Sequence, residues 1–268
     1  MRVAVLYICT GKYNKFFEGF YQSCEKFFLV GQAEKEYFVW TDDDSIGERK
    51  PNVQTIHKEC AGFPADSLFR FEMFLQAEEE LRGYDYIYFF NANAEFKQPV
   101  NEEILPDETG LAMGLWYNQE KPWWNPWRIL DLPAFFCYEH NKKSLAYIPP
   151  FEKNYKQYMG GLNGGRTKEY LEMINTLSTN IRIDYENGII AIAHDQSHIN
   201  AYMRAHKCKA LPKEMCWPEE WASSFEPKIV FRDKMKMGEP FVKGRNPSAW
   251  GRIKRLLIRM RHAIEWYV

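Results

Sequence analysis

Apolar positions first fall in one unbroken run over residues 3–8, which ends at Cys9-Thr10-Gly11. A run this short and this rich in β-branched residues predicts a buried strand followed by a loop. The period then changes. Phe16, Phe17, Phe20, Tyr21, Cys24, Phe27 and Phe28 recur every three or four positions, the mark of a helix with one apolar face. Residues 36–41 predict a second strand, stopped by Asp42-Asp43-Asp44. A second helix is expected to start near Asp66 or Ser67, both good N-caps, and to carry Leu68, Phe71, Phe74 and Leu75 inward. Residues 86–90 predict a third strand, which ends at Asn91. Strand, helix, strand, helix, strand is the pattern of a mostly parallel α/β sheet flanked by helices. Such sheets bind ligands beyond the carboxyl ends of their strands, so Cys9-Thr10-Gly11 and Asn91-Ala92-Asn93 are expected at one rim.

Beyond this point the periodicity weakens. Residues 116–150 are aromatic and Pro-containing, and include Trp123, Trp124 and Trp127. A long irregular insertion of this kind is either a binding loop or a packed surface excursion. Gly160-Gly161-Leu162-Asn163-Gly164-Gly165 reads as a glycine-rich loop through which backbone can approach a ligand, and a helical stretch follows over residues 167–177. Residues 250–268 interleave Arg252, Lys254, Arg255, Arg259 and Arg261 with Ile253, Leu256, Leu257, Ile258, Met260, Ile264 and Trp266. This predicts a basic amphipathic helix, suited either to an anionic membrane surface or to packing back on the domain. The expected organisation is one large domain over residues 1–247 with this helix appended over residues 248–268.

Composition narrows the function. A formal net charge of −1 over 268 residues leaves no global electrostatic footprint for nucleic acid. The six cysteines, Cys9, Cys24, Cys60, Cys137, Cys208 and Cys216, form no CxxC pair and no zinc spacing. They read as reduced thiols, and with no signal-peptide pattern or span-length apolar run the expected location is cytoplasmic, peripheral on the inner membrane if the C-terminal helix binds lipid.

The chemistry concentrates at the end of the third strand. Transferases that use sugar nucleotides on this kind of sheet usually end a central strand in Asp-x-Asp, whose carboxylates hold a divalent metal against the leaving diphosphate. Here the strand ends in Asn91-Ala92-Asn93. Amides are poor ligands for a hard cation but can hydrogen-bond sugar hydroxyls or phosphate oxygens, or merely shape a turn. His194 and His198, four apart, could sit on one helical face as a metal pair, but no third ligand is evident nearby.

Five segments, in order, resemble glycosyltransferase family 6. They are Cys9-Thr10-Gly11-Lys12-Tyr13; Ser67-Leu68-Phe69-Arg70-Phe71-Glu72-Met73; residues 85–96 through Asn91-Ala92-Asn93; Ala146-Tyr147-Ile148-Pro149 onward to Tyr158-Met159-Gly160-Gly161 and Gly164-Gly165; and Asn187-Gly188-Ile189 with His194-Asp195-Gln196-Ser197-His198-Ile199-Asn200. The resemblance covers roughly residues 3–247. It implies a GT-A type fold, Rossmann-like, and a retaining α-1,3 transfer from a uridine diphosphate sugar to a fucosylated galactose.

Residue by residue, the resemblance places Thr10 and Tyr13 at the uridine and Arg70 in the donor site. Asn91 and Asn93, flanking Ala92, stand at the metal-binding aspartates of the vertebrate members, so no metal and no cofactor are expected. Met159, Gly160 and Gly161 match the positions that sort galactose from N-acetylgalactosamine. The bare Gly161 favours UDP-N-acetylgalactosamine, with UDP-galactose as the alternative. Lys236, Lys243 and Arg245 resemble a basic C-terminal lid over the phosphates. The acceptor side is expected at Trp116, Ala193, Gln196 and Trp217. His194-Asp195-Gln196 stands where the family carries a glutamate in third position. A carboxylate there could act as nucleophile or stabilise positive charge, whereas an amide does neither well. Either the chain is an acid-to-amide variant that holds its donor intact, or it uses a front-side route in which the leaving phosphate takes the acceptor proton. A non-catalytic glycan-binding protein is the alternative of another class.

Overall fold

A computed structural model describes residues 1–116, 126, 132–237 and 249–268. The aromatic run with Trp123, Trp124 and Trp127 lies outside the described residues, as do Lys243 and Arg245. The predicted strands form as β1 (Arg2–Cys9), β2 (Glu34–Thr41) and β4 (Tyr86–Phe90), with β3 (Val53–His57) added after β2. Further along come β5 (Ala94–Phe96), β6 (Leu111–Leu115), β7 (Tyr158–Arg166), β8 (Lys209–Leu211), β9 (Trp217–Pro218) and β10 (Ile229–Phe231). The main sheet has the order β3-β2-β1-β4-β7-β6-β8, and β5-β10-β9 form a small second sheet. β7 runs antiparallel to both of its neighbours and every other pairing in the main sheet is parallel. This is a GT-A type arrangement: a mostly parallel Rossmann-like sheet flanked by helices.

Alternation along the strands fills two cores, because both faces of a parallel sheet are covered. Val3, Val5 and Tyr7 pack with Phe17, Phe20 and Phe28 around α1 (Phe17–Phe27), and with Tyr88 and Phe90 from β4. On the other face Ala4, Leu6, Ile87 and Phe89 meet helices α2 (Ala65–Leu68), α3 (Arg70–Leu75), α5 (Thr167–Glu186) and α6 (Asp195–Ala205). Fully burying one such large apolar side chain contributes about 1.5–3 kcal/mol. A third cluster of Ala134, Phe136, Tyr138, Ile148, Ala263 and Trp266 holds α7 (Ala249–Tyr267) against residues 134–148. The short helix α4 (Glu78–Leu81) completes the set.

Two expectations are corrected. The second helix is broken: α2 starts at Ala65 and ends at Leu68, because Phe69 leaves the helical region (φ −97, ψ 19), and α3 and α4 follow as separate pieces. Asp66 does not cap it. Its carboxylate accepts from the backbone N–H groups of Ala61 and Gly62 instead. The glycine run 160–165 is no loop but the middle of β7. The glycines are there because neighbours are too close for side chains. A Cβ on Gly164 would lie 2.3 Å from the Tyr88 ring, and one on Gly165 would lie 2.3 Å from the Gly110 carbonyl oxygen.

Of the C-terminal helix, one face packs home, with Trp266 Nε1 donating to the Ile148 carbonyl at 2.6 Å. Trp250, Ile253, Leu257 and Ile264 remain exposed on the other. No helix among the described residues is long and apolar enough to cross a membrane.

Candidate active site

The carboxyl ends of β1 and β4 meet the start of β7, as the topology predicted. The Tyr7 hydroxyl donates to the Ala92 carbonyl at 2.7 Å, which ties the turn after β4 to the middle of β1. The Asn91 N–H donates to the Gly161 carbonyl at 2.8 Å, and so links that turn to β7. These two bonds hold the Asn91-Ala92-Asn93 rim.

On one side of the rim lies a cavity lined by Thr10, Tyr13, Phe63, Asp66, Arg70, Asn91, Ala92 and Lys234, among others. The Thr10 hydroxyl donates to Asp66 at 3.2 Å, and the Lys234 ammonium sits 4.8 Å over the Tyr13 ring. Aromatic rings, a hydroxyl, a carboxylate and two cations around one cavity suit the base, ribose and diphosphate of a nucleotide. Thr10, Tyr13, Arg70, Asn91 and Ala92 are therefore brought together where the sequence reading put them. Asp66, Phe63 and Lys234 are additions. Asp66 was masked by its resemblance to a helix cap.

Arg70, at the start of α3, is the pivot. It is 8% exposed. Its Nη1 donates to the Gly160 carbonyl at 2.8 Å, its Nη2 lies 3.1 Å from Asp195 Oδ2, and its guanidinium stacks 4.8 Å from the Phe89 ring. Asp195 is 3% exposed. Burial pushes its carboxyl up to about 6, and the Arg70 charge opposes the rise without cancelling it. Asp195 Oδ2 makes no aligned hydrogen bond in the protein, so its contact with Arg70 is an ion pair.

His194, just before α6, has φ 54, a strained backbone for a side chain of its size. Burial and Arg70 lower its pKa, so it is neutral at pH 7, and its ring meets Phe63 edge-on at 4.8 Å. The turn delivers Asp195 and Gln196 to the first turn of α6, where Asn200 clamps β7. Asn200 Oδ1 accepts from the Tyr158 N–H at 2.8 Å and Nδ2 donates to the Tyr158 carbonyl at 2.9 Å. Gln196 Oε1 in turn accepts from the Gly160 N–H at 3.2 Å. Gly160 thus joins Arg70 and Gln196 through its two backbone groups.

Gln196 separates two further spaces. One is lined by Asn91, Asn93, Trp116, Met159, Gly161, Phe231, Arg232 and Lys234. The other is a cleft of about 580 Å³ lined by Trp116, Phe135, His140, Gln157, Ala193, Gln196, Trp221, Arg259 and His262. Trp116, Ala193 and Gln196, three of the four residues expected at the acceptor, line this one cleft.

Three placements differ from expectation. Trp217 is 3% exposed and lies beneath Trp221, to whose carbonyl its Nε1 donates at 3.2 Å, so Trp221 presents the cleft surface instead. Lys236 lines none of these spaces and pairs with Glu219 at 3.3 Å. Asn93 spends its Nδ2 on the Arg232 carbonyl at 2.7 Å, and only its Oδ1 stays without a partner. His194 and His198 do not make a metal pair: His198 lies in the core beside Asp184, 3.6 Å away. No group of three His, Cys, Asp or Glu that could hold a metal occurs among the described residues. The neutral oxygens of Asn91 and Asn93 are a poor match for a hard divalent cation.

A GT-A sheet with a polar cavity at the carboxyl ends of its central strands, a buried Arg–Asp pair and an aromatic cleft across a single polar side chain has the parts a glycosyltransferase needs. Comparison with known proteins agrees. The sequence profile of glycosyltransferase family 6 matches residues 1–236, and the chain belongs to that family. It is 32% identical over 237 residues to the O-antigen biosynthesis glycosyltransferase WbnI of Escherichia coli, covering 87% of this chain and 95% of the relative. It is 28% identical over 218 residues to the histo-blood group ABO system transferase 1 of Rattus norvegicus, covering 78% of this chain and 59% of the relative. To the globoside alpha-1,3-N-acetylgalactosaminyltransferase 1 of Gallus gallus it is 26% identical over 231 residues, with coverages of 82% and 62%. The chain therefore spans about three fifths of the length of these vertebrate relatives. A nucleotide-sugar donor and a glycan acceptor follow from membership.

Proposed function

We propose that the chain transfers N-acetylgalactosamine from UDP-N-acetylgalactosamine, with retention and in α-1,3 linkage, to the galactose of a fucosylated glycan, without a divalent metal. The observation that carries this is the rim itself: amides at Asn91 and Asn93, flanked by Arg70 and Lys234. Cations near the diphosphate offset its charge by several kcal/mol at an effective dielectric near 20. Lys243 and Arg245, outside the described residues, are proposed to add to them. Asp195, held by Arg70, accepts from a donor-sugar hydroxyl. Gln196, neutral, orients the acceptor hydroxyl, and the departing phosphate takes that proton. The alternative at this position is an acid-to-amide variant, which would hold its donor intact and turn over slowly.

The choice of donor rests on Gly161 and on the names of relatives such as the chicken enzyme. One observation keeps UDP-galactose as the second reading, because it removes the weight of Gly161 from the choice. A Cβ on Gly161 would stand 3.1 Å from both Met159 Cε and Phe231 Cε1, so packing asks for glycine there whichever sugar binds. Gln196 favours the reading of a glycan-binding protein without turnover. The test is turnover with each donor on fucosylated lactose, with and without EDTA. Transfer from the N-acetylgalactosamine donor, unaffected by EDTA, is expected. Faster transfer from UDP-galactose, loss of rate in EDTA, or no transfer with retained glycan binding would each overturn the corresponding part.

We also infer a cytoplasmic enzyme that touches the membrane through α7. Its exposed Trp250, Ile253, Leu257 and Ile264 are bordered by Lys254 and Arg261, a pattern that suits an anionic leaflet. Sedimentation with phosphatidylglycerol vesicles but not phosphatidylcholine vesicles is expected. Equal sedimentation with both, or with neither, refutes it.

A further inference from the structure

The acceptor-side cleft continues past Gln196 and the paired rings of Trp116 and Trp221, whose centroids are 5.4 Å apart, to a wall built by α7. That wall is basic. Arg259 is fixed at the cleft by one bond, Nη2 to the Phe135 carbonyl at 3.1 Å, which uses one of five guanidinium donors. His140 lies stacked on Trp266 at 5.6 Å, with His262 at 6.2 Å, and both of its ring nitrogens are without a hydrogen-bond partner. No described residue lining the cleft carries a carboxylate. The acidic groups beside the cleft are Glu139, whose Oε2 already accepts from the Ile192 N–H at 2.7 Å, and Glu265, 3.6 Å from His262 and already paired with Arg261 at 2.7 Å. An aromatic end for a sugar face, followed by three nitrogen-bearing side chains with no acid among them, is a site for a sugar that continues into an anion.

We propose that the acceptor bears a phosphate or carboxylate beyond the sugar that receives the transfer, and that Arg259, His262 and His140 bind that group. The proposal rests on the reading of this cleft as the acceptor site. It adds a specificity that a neutral fucosylated glycan does not require, and gives α7 a role in substrate choice.

The test titrates three ligands by tryptophan fluorescence in the presence of UDP: fucosylated lactose, its reducing-end phosphate, and its analogue with the reducing-end glucose oxidised to a carboxylate. At least one acidic ligand is expected to bind about tenfold tighter than the neutral one, with the gain shrinking in 0.5 M salt. Arg259→Gln should remove most of the gain, whereas Lys254→Gln, on the exposed face, should leave it. A gain for phosphate alone points to a phosphoryl-linked acceptor, and a gain for both points to acidic glycans at large. Either supports the proposal. Equal affinity for all three ligands overturns it and leaves the acceptor reading standing. A gain that survives Arg259→Gln overturns the assignment of the residues, and binding of none overturns both readings.

Discussion

Replacing Arg70 by methionine takes the counter-charge from a carboxylate that water barely reaches. Removing one partner of a buried ion pair commonly costs about 3–5 kcal/mol. Here a smaller figure wins, because the orphaned group can take up a proton. Asp195 already titrates near 6 in the folded protein, against 3.8 as its ordinary value. Once Arg70 is gone its pKa rises past 7 and the carboxyl is neutral at pH 7. The added cost is then bounded by 1.36 kcal/mol per pH unit over the interval from 6 to 7, about 1.4 kcal/mol. The Gly160 carbonyl loses the Arg70 donor but keeps Asn163 Nδ2 at 3.1 Å, and the Ser67 carbonyl loses a longer bond from Arg70 Nε at 3.3 Å. Arg70→Met is therefore expected to cost about 1–2 kcal/mol at pH 7 and much less at pH 4.5, where both proteins hold Asp195 protonated. Urea unfolding at the two pH values measures this. Activity should suffer more: a neutral Asp195 and a missing cation are expected to lower donor kcat/KM by roughly 10²-fold or more. A stability loss above about 3 kcal/mol at pH 7, or the same loss at both pH values, would show that Asp195 stays ionised without Arg70 and would refute the reasoning.

The same carboxyl sets a pH dependence that a histidine opposes. The raised pKa of Asp195 favours the fold below about 4 and is lost as pH rises to 6, whereas His198, lowered by burial to about 4, destabilises the fold as pH falls from 6.5 to 4. Each is worth about 3 kcal/mol, so Asp195→Asn should make the protein more acid-sensitive and His198→Gln less so; parallel pH–stability curves for both would contradict this. Gln196→Glu is expected to raise kcat by about 10²-fold, if transition-state charge is the missing element, with unchanged turnover as the refuting result. Gly161→Ala forces Met159 and Phe231 apart and should cost about 1–3 kcal/mol. If Gly161 also makes room for an acetamido group, turnover of the N-acetylgalactosamine donor should fall at least tenfold more than that of UDP-galactose, and equal falls would count against it.

The early part of the fold was legible because each element there carries its own period. β4 lies over the residues its apolar run marks, and the rim at Asn91 followed from strand order alone. β7 was not legible. Its glycines answer to Tyr88 and Gly110, partners supplied by pairing that no local window contains. The break at Phe69 escaped notice for a related reason, since the apolar spacing of Leu68, Phe71 and Phe74 survives it. At the site, Arg70, Asp195 and Gln196 were found through resemblance, and the structure supplies what resemblance cannot, namely that Gly160 joins them. Trp217 and Trp221 were exchanged because an aromatic near a cleft can form its floor or its surface, and sequence does not distinguish the two. Lys234 was passed over for Lys236, two residues away, because only the fold shows which lysine finds Glu219.

The two walls of the cleft stand on unequal foundations. The donor wall grows out of strand ends shared by both large cores, so a change there disturbs the sheet itself. The far wall rests on a patch of six buried residues that includes no residue of the sheet. That patch can be remodelled, or its helix exchanged, at small risk to folding. A lineage could in this way keep one sugar nucleotide and one chemistry while it changes the molecule that receives the sugar.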